Sequence, residues 1–248
     1  MPRLEPAGEP RLGRTSRRAP FDGWQVHAAG IRRSSPHWII GSAPWRNQAS
    51  VSQVLFITHP DVIIDPTVPV PEWRLSPTGL VRLRAFAAQS WLRAIGSIWS
   101  STEYKAQDGA EVLASALELP WRTHHGLGEN DRSSTGYLPR AMFEAMANAF
   151  FAQPEISVRG WERAIDAQTR IIAAVRAVVA ATSQPGDIAI VSHGAVGALL
   201  LGHLSGRSID RSLDQPAGNG GNYFAFDRET WRPTLWWRSI DTGPGTAS

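Results

Sequence analysis

The chain has 248 residues, a formal net charge of +3, 42% hydrophobic and 19% charged residues, and no cysteine. This composition is typical of a globular protein, and the lack of cysteine excludes disulfides, thiolate metal sites and a cysteine nucleophile. No apolar run reaches the roughly 18–20 residues that cross a bilayer, and no signal-peptide pattern opens the sequence. We therefore predict a soluble, cytoplasmic protein without a membrane partner.

The excess basic charge is confined to residues 1–50. This segment holds eight arginines against three acidic residues, a net charge of +5, so residues 51–248 carry −2 of the total of +3. Its Pro, Gly, Ser and Arg content without periodicity predicts a mostly disordered extension. Three interpretations stay open: a dispensable tail, an artefact of the choice of start site, and an arm for nucleic acid or a membrane surface. The scattered arginines favour the first two, so we do not expect a nucleic-acid partner.

Strands and helices are predicted to alternate from residue 51 onward. The buried strand "QVLFIT" comes first, because a continuous apolar run is typical of a strand covered on both faces. The segment "SPTGLVRLRAFAAQSWLRAIG" follows and predicts a helix with Ser76 as N-cap, Pro77 at its first position and Gly96 as its stop. "SIWSS" then predicts a short strand, and a helix is expected from about Lys105 to Leu117.

The second half continues the same alternation. Residues 121–139 are polar and glycine-rich, which predicts a long functional loop. The longest helix is expected from about Glu162 to Thr182, with an exposed ion pair between Asp166 and Arg170. "IAIVS" predicts another buried strand, "AVGALLLGHL" a helix, and "GNYFAFD" with "WRPTLWWRSI" a final strand pair. The order of elements favours an α/β fold with a mostly parallel sheet flanked by helices.

Two of the seven histidines stand in matching contexts. "VLFITHP" and "IAIVSHG" each carry a buried strand, a hydroxyl residue, a histidine and then Pro or Gly. Ligands of open α/β sheets bind beyond the carboxyl ends of the strands. A single histidine there is more often a hydrogen-bonded structural residue, but the repeated pattern favours a site shared by His59 and His193.

These motifs resemble the histidine phosphatase superfamily, which has the phosphoglycerate-mutase-like fold. "VLFITHP" is similar to the strand that precedes its Arg-His-Gly triplet, and "IVSHGAVGALLLGHLSG" to its late His-Gly segment. "LSPTGLVRLRAF", "SSTEYKAQDGAEVLA" and "LGEND" resemble further segments of the family in the same order. The resemblance covers about Val51 to Phe226. It implies a three-layer sandwich and a single domain over residues 51–248.

The resemblance also implies a metal-independent mechanism without a cofactor. His59 would attack phosphorus and form a phosphohistidine that water hydrolyses. His193 would donate a hydrogen bond to the phosphoryl oxygens, and the helix that begins at Gly194 would add backbone N–H groups. Glu129 would serve as the general acid. The expected partner is a small phosphorylated molecule, and homo-oligomerisation stays open.

The sequence departs from the family at the positions that bind phosphate. Thr58 and Lys105 stand where the family has arginines, and Pro60 replaces the glycine after the histidine. A hydroxyl or an ammonium cannot reproduce the planar, multidentate contacts of a guanidinium. Arg82, Arg84, Arg122 and Arg132 are the candidate replacement cations, and Arg132 is favoured because it follows Glu129 by three residues.

Three functions therefore stay open. The leading one is a phosphohydrolase that acts on a phosphomonoester through His59, with a mutase of the same chemistry less favoured. The second is a catalytically weak or inactive module that binds a phosphorylated ligand on the same fold. The third is a nucleic-acid binder that acts through the basic extension.

Overall fold

The computed structural model describes residues 25–27, 52–216 and 218–243. Within the predicted N-terminal extension, only Gln25–His27 are described, and they form a short strand. The other expectations for residues 1–50 lie outside the described residues. The assignment of residues 51–248 to a single domain stays a prediction.

Seven strands of the described chain form one sheet in the order β1-β4-β3-β5-β2-β6-β7. The four central strands β4, β3, β5 and β2 are parallel, and the outer strands β1, β6 and β7 pair antiparallel. The strands are β1 (Gln25–His27), β2 (Gln53–Thr58), β3 (Ile95–Ser100), β4 (Trp121–Thr123), β5 (Asp187–Ser192), β6 (Asn222–Asp227) and β7 (Pro233–Ser239). The predicted mostly parallel sheet and the final strand pair are confirmed.

Helices cover both faces of the sheet and make a three-layer sandwich, as predicted. Alternate residues of a strand point to opposite faces, so Leu55 and Ile57 pack with α1 and α2, whereas Val54 and Phe56 pack with α4 and α5. Helix α3 packs in a third cluster with α4 and α5. The helices are α1 (Pro77–Ala87), α2 (Tyr104–Leu117), α3 (Arg140–Ala152), α4 (Ala164–Ala181) and α5 (Gly194–Leu204).

The first helix begins as predicted but ends earlier. The Ser76 side chain accepts a hydrogen bond from the backbone N–H of Gly79, which confirms it as the N-cap. The prediction that Gly96 ends this helix was wrong, because α1 ends at Ala87 and Gly96 lies within β3. A Cβ at Gly96 would lie 2.0 Å from the carbonyl oxygen of Pro185, so glycine is needed there for close backbone approach.

Two further features differ from the sequence analysis. The predicted pair between Asp166 and Arg170 is wrong: Asp166 pairs with Arg163, and Arg170 pairs with Glu162. Helix α3 was not predicted at all, and it follows directly on the expected loop. Within the described part of the chain, no helix is both long and apolar enough to span a membrane.

Candidate active site

The two histidines of the repeated motif lie side by side at the carboxyl edge of the sheet. Strands β2 and β5 are parallel neighbours, and the backbone N–H of His59 donates to the carbonyl of Ser192 at 3.1 Å. The rings of His59 and His193 meet edge to face with centroids 5.2 Å apart. The adjacency expected from the sequence is therefore present.

The His59 ring is oriented by the backbone that follows it. Its Nδ1 lies 3.0 Å from the carbonyl oxygen of Pro60. Because a carbonyl can only accept, Nδ1 carries the proton in the neutral ring and Nε2 keeps its lone pair. Burial, followed by the charge of Lys105, lowers the pKa of His59 to about 4. His59 is therefore a neutral imidazole at pH 7, with an unprotonated nitrogen available for attack.

A glycine turn holds the carbonyl side of His59. The backbone N–H of Gly221 donates to the His59 carbonyl at 3.0 Å. Gly220 has φ +74°, and a Cβ there would lie 2.3 Å from the same oxygen. Only glycine adopts this conformation and this approach without strain, so the turn fixes the end of β2 from the opposite side.

His193 is fully buried between two polar side chains. Its Nε2 lies 2.8 Å from the Ser101 hydroxyl and 3.2 Å from Glu103 Oε1. Burial holds the pKa of His193 well below its usual value. Its Nδ1 and the Nδ2 of buried Asn130 find no hydrogen-bond partner within the described residues. Buried polar atoms are rarely left unpaired, so these nitrogens are candidates for ligand contacts.

Thr58 does not face an open anion site. Its hydroxyl donates to Gln215 Oε1 at 2.7 Å and accepts from the backbone N–H of Asn222 at 2.9 Å. Gln215 also packs against Gly194, where a Cβ would lie 2.3 Å from Gln215 Nε2. The position of the family's arginine thus holds a neutral hydrogen-bond network that ties β2, β6 and the start of α5 together.

Lys105 is close to the histidines but is already paired. The side chain is only 3% exposed, and its ammonium donates to Glu103 Oε2 at 2.5 Å and to the carbonyl of Val70 at 2.9 Å. Burial alone would raise the pKa of Glu103, but the Lys105 ammonium and the backbone N–H of Glu129 outweigh it and hold that pKa well below its usual range. The predicted phosphate-binding cation therefore carries its own counter-ion.

Glu129 belongs to the loop after β4, and its carboxylate contacts the first turn of α5. Its carboxylate accepts from the backbone N–H groups of Ala195, at 3.3 Å, and Val196, at 3.2 Å. Carboxylates are stabilised at helix N-termini by these groups and by the helix dipole. Arg170 fixes the loop, because it donates to the carbonyl oxygens of Gly126, Gly128 and Glu129.

Arg132 is the predicted replacement cation whose position best suits a ligand. Its guanidinium stacks over the rings of Phe143 and Trp161 at 5.1 and 5.7 Å, and within the described ranges no acidic side chain forms an ion pair with it. It lines a cleft of about 880 Å³ together with Trp73, Tyr137 and Gln215. Its charge makes the smallest of the named contributions to the pKa of His59.

Of the other candidate cations, Arg82 and Arg122 contact groups elsewhere, and Arg84 is exposed on α1. Arg82 pairs with Asp61 and Asp241, so the charge of Asp61 is neutralised. Asp65 caps the turn at Thr67. The guanidinium of Arg122 stacks over Trp99. Across residues 52–216 and 218–243, no three His, Asp or Glu side chains are placed to hold a metal ion.

The comparisons with known proteins agree with this architecture. The family model described as histidine phosphatase superfamily (branch 1) matches residues 69–238. The chain belongs to this superfamily. The matched stretch contains His193 and begins after His59, so the departures around His59 lie outside it. No curated protein sequence matches the chain.

Solved structures of the same fold are numerous. A mycobacterial glucosyl-3-phosphoglycerate phosphatase with inorganic phosphate is 20% identical, with TM-score 0.63 over 77% of this chain and 100% of that one. YhfR of Bacillus stearothermophilus is 18% identical, with TM-score 0.63 over 79% and 98%. A phosphoglycerate mutase of Bacillus anthracis is 17% identical, with TM-score 0.60 over 77% and 94%. At these identities the similarity shows the phosphoglycerate-mutase-like fold.

Three residues of the site were missed by sequence reasoning. Glu103 was not singled out, although an acid two residues before Lys105 signals a local ion pair. Gln215 and Arg170 gave no sequence signal, because their partners lie 157 and 41 to 44 residues away. Their contacts exist only in the folded chain.

Proposed function

We propose that the protein is a metal-independent phosphohydrolase that transfers the phosphoryl group of a small phosphomonoester to His59 and then to water. The observation that carries the proposal is the His59 ring, held with Nδ1 protonated and Nε2 unprotonated beside His193 at the ends of two paired strands. Membership of the superfamily supports phosphoryl-transfer chemistry in general. The cytoplasmic location is part of the proposal and rests on the sequence alone.

In the proposed reaction, Nε2 of His59 forms the bond to phosphorus as the ester oxygen leaves. Arg132 is the candidate cation for the phosphoryl oxygens, and His193 is the candidate hydrogen-bond donor. Thr58 and Gly194 act indirectly, by fixing the strand end and the helix start through Gln215.

Glu129 remains the candidate general acid. Its carboxylate now accepts the amide hydrogen bonds of α5 that a phosphoryl oxygen would use. A proton-donating role therefore requires that the substrate displaces Glu129 from the helix.

Turnover of p-nitrophenyl phosphate by the wild type and by two histidine variants tests the proposal. We expect His59→Ala to lower the rate at least about a thousandfold, because no nucleophile remains. The control is His125→Ala, since His125 is an exposed loop histidine and its loss leaves the rate unchanged. Equal rates for His59→Ala and the wild type contradict the proposal.

The ion pair between Lys105 and Glu103 favours a second candidate function, a module that binds a phosphorylated ligand with little or no turnover. A site whose buried cation is already neutralised gives less stabilisation to transition-state charge than one with free arginines. Titration calorimetry with phosphorylated metabolites separates the two functions. Binding without hydrolysis supports the module, and efficient hydrolysis excludes it.

A further inference from the structure

Glu103 sits among donors that together resemble the lining of an anion site. Its Oε2 accepts from the Lys105 ammonium at 2.5 Å, and its Oε1 accepts from the backbone N–H of Glu129 at 2.7 Å and faces His193 Nε2 at 3.2 Å. An ammonium and an amide N–H are donors that typically bind a phosphoryl oxygen. Here a carboxylate of the chain itself holds them.

A second carboxylate occupies the remaining group of donors. Glu129 accepts from the backbone N–H groups of Ala195 and Val196 at the start of α5. This helix has eleven residues, so its N-terminus would otherwise be well suited to an anion. Both sets of donors beside His59 are therefore used by carboxylates before any ligand arrives.

Charged and titratable groups on several elements act on Glu103. Lys105 lies on α2 and His193 at the end of β5, and the charge of Glu103 is also felt by His59 at the end of β2 and by Arg170 on α4. Lys105 is neutralised by Glu103, and Arg170 by Glu162. A ligand at His59 thus meets Arg132 and the Lys105 ammonium as cations, with the Glu103 and Glu129 carboxylates nearby.

We propose that Glu103 is a specificity-determining residue that makes the site accept phosphoryl groups with one negative charge and disfavour dianions. The ligands are the monoanion of a phosphomonoester or a phosphodiester. The inference rests on the proposed function only in that a phosphoryl group binds next to His59. Like charges brought together in a partly buried site repel strongly, and each unit of ligand charge adds to the repulsion by Glu103.

Calorimetric binding of inorganic phosphate between pH 5.5 and 8 tests the proposal, because this ion passes from one to two negative charges near neutral pH. His59 stays neutral and Glu103 stays ionised over the range, since the pKa of His59 is about 4 and that of Glu103 lies well below its usual value. In the wild type, affinity is expected to fall at least about tenfold from pH 5.5 to 8. In Glu103→Gln, affinity at pH 8 rises at least about tenfold and the fall disappears.

Glu118→Gln is the matched control, because Glu118 is an exposed residue at the other end of the same helix and the substitution removes the same charge. It should bind phosphate as the wild type does. Equal phosphate affinity of the wild type at both pH values, or an unchanged affinity of folded Glu103→Gln, overturns the proposal. So does the absence of phosphate binding to every variant.

A second measurement on the wild type needs no variant. At pH 8, phenyl phosphate is a dianion and methyl phenyl phosphate is a monoanion of similar shape. The wild type should bind the monoanion at least about tenfold more tightly, and equal or tighter binding of the dianion overturns the proposal. This comparison measures binding, not turnover. Charge selectivity in a protein that hydrolyses nothing therefore contradicts the proposed function alone. Hydrolysis without charge selectivity contradicts this inference alone.

Discussion

The two halves of the candidate site differ in what holds their side chains in place. At the end of β2, the His59 ring is oriented by the Pro60 carbonyl, and the strand end is held by backbone hydrogen bonds to Ser192 and Gly221. At the start of α2, the cation is the side chain of Lys105, and it is paired with the side chain of Glu103. His59, the proposed nucleophile, is positioned by backbone groups, and the proposed anion-binding half by charged side chains.

This difference explains how one half can change without the other. Carbonyl and amide groups are present whatever the side chains are, so the orientation of His59 tolerates Thr58 and Pro60 as neighbours. A pocket that depends on charged side chains is more sensitive, because a single substitution can reverse the sign of its net charge. The orientation of His59 and the charge of the proposed anion-binding half are therefore separable, and the following predictions test that separation.

The largest expected effect is a loss of stability when the buried ion pair between Lys105 and Glu103 is broken. Lys105→Met should lower the free energy of unfolding by about 3–5 kcal/mol, because it leaves the Glu103 carboxylate without its cation in a largely buried position. Urea denaturation measures the change. The double variant Glu103→Gln/Lys105→Met removes both charges and should recover a large part of the loss. A loss below about 1 kcal/mol in the single variant would show that the pair does not organise this half of the site.

The next effect concerns the cation in the cleft. Arg132→Gln should weaken phosphoryl-ligand binding about ten- to hundredfold, the equivalent of about 1.5–3 kcal/mol for a charge-assisted contact. Calorimetry with the ligand that binds the wild type best measures it. Arg207→Gln removes an exposed arginine elsewhere and is the control. If both variants bind alike, Arg132 does not replace the missing arginines.

A loss of stability is expected at the end of β2, similar to or smaller in free energy than the loss of binding in Arg132→Gln. Thr58→Val removes the hydroxyl that donates to Gln215 and accepts from the N–H of Asn222, and it leaves buried polar groups unpaired. The expected cost is about 1–3 kcal/mol in urea unfolding. Thr58→Ser keeps the hydroxyl and should lose less. Equal losses would mean that the strand end is held by packing rather than by this network.

The smallest effect is the contribution of His59 to the pH dependence of folding. The pKa of His59 falls from 6.5 to about 4 on folding, so between these values the unfolded chain binds a proton that the native state does not. Stability therefore falls as pH is lowered through this window. Urea unfolding at pH 7 and pH 5 should show a larger loss for the wild type than for His59→Asn, in which the titrating group is absent. Identical losses would contradict a neutral His59.

The sequence was informative where local pattern and backbone decide the structure. The apolar runs that end at Thr58 and Ser192 predicted β2 and β5, and the Ser76–Pro77 pair predicted the start of α1. Gly96 was misjudged because glycine serves both as a helix stop and where two backbones approach closely. Glu103 was missed because only its pairing with Lys105 is local, whereas its contacts with Glu129 and His193 form only in the fold.

The central claim is that His59 is the nucleophile, and its covalent intermediate is the most direct test. The protein is mixed with p-nitrophenyl phosphate at pH 5.5, quenched in alkali within the first turnover, and digested for mass spectrometry under conditions that preserve acid-labile phosphohistidine. The account predicts a phosphoryl group on the peptide that contains His59, lost in His59→Ala. Hydrolysis with no phosphohistidine, or with the phosphoryl group on another residue, would contradict it.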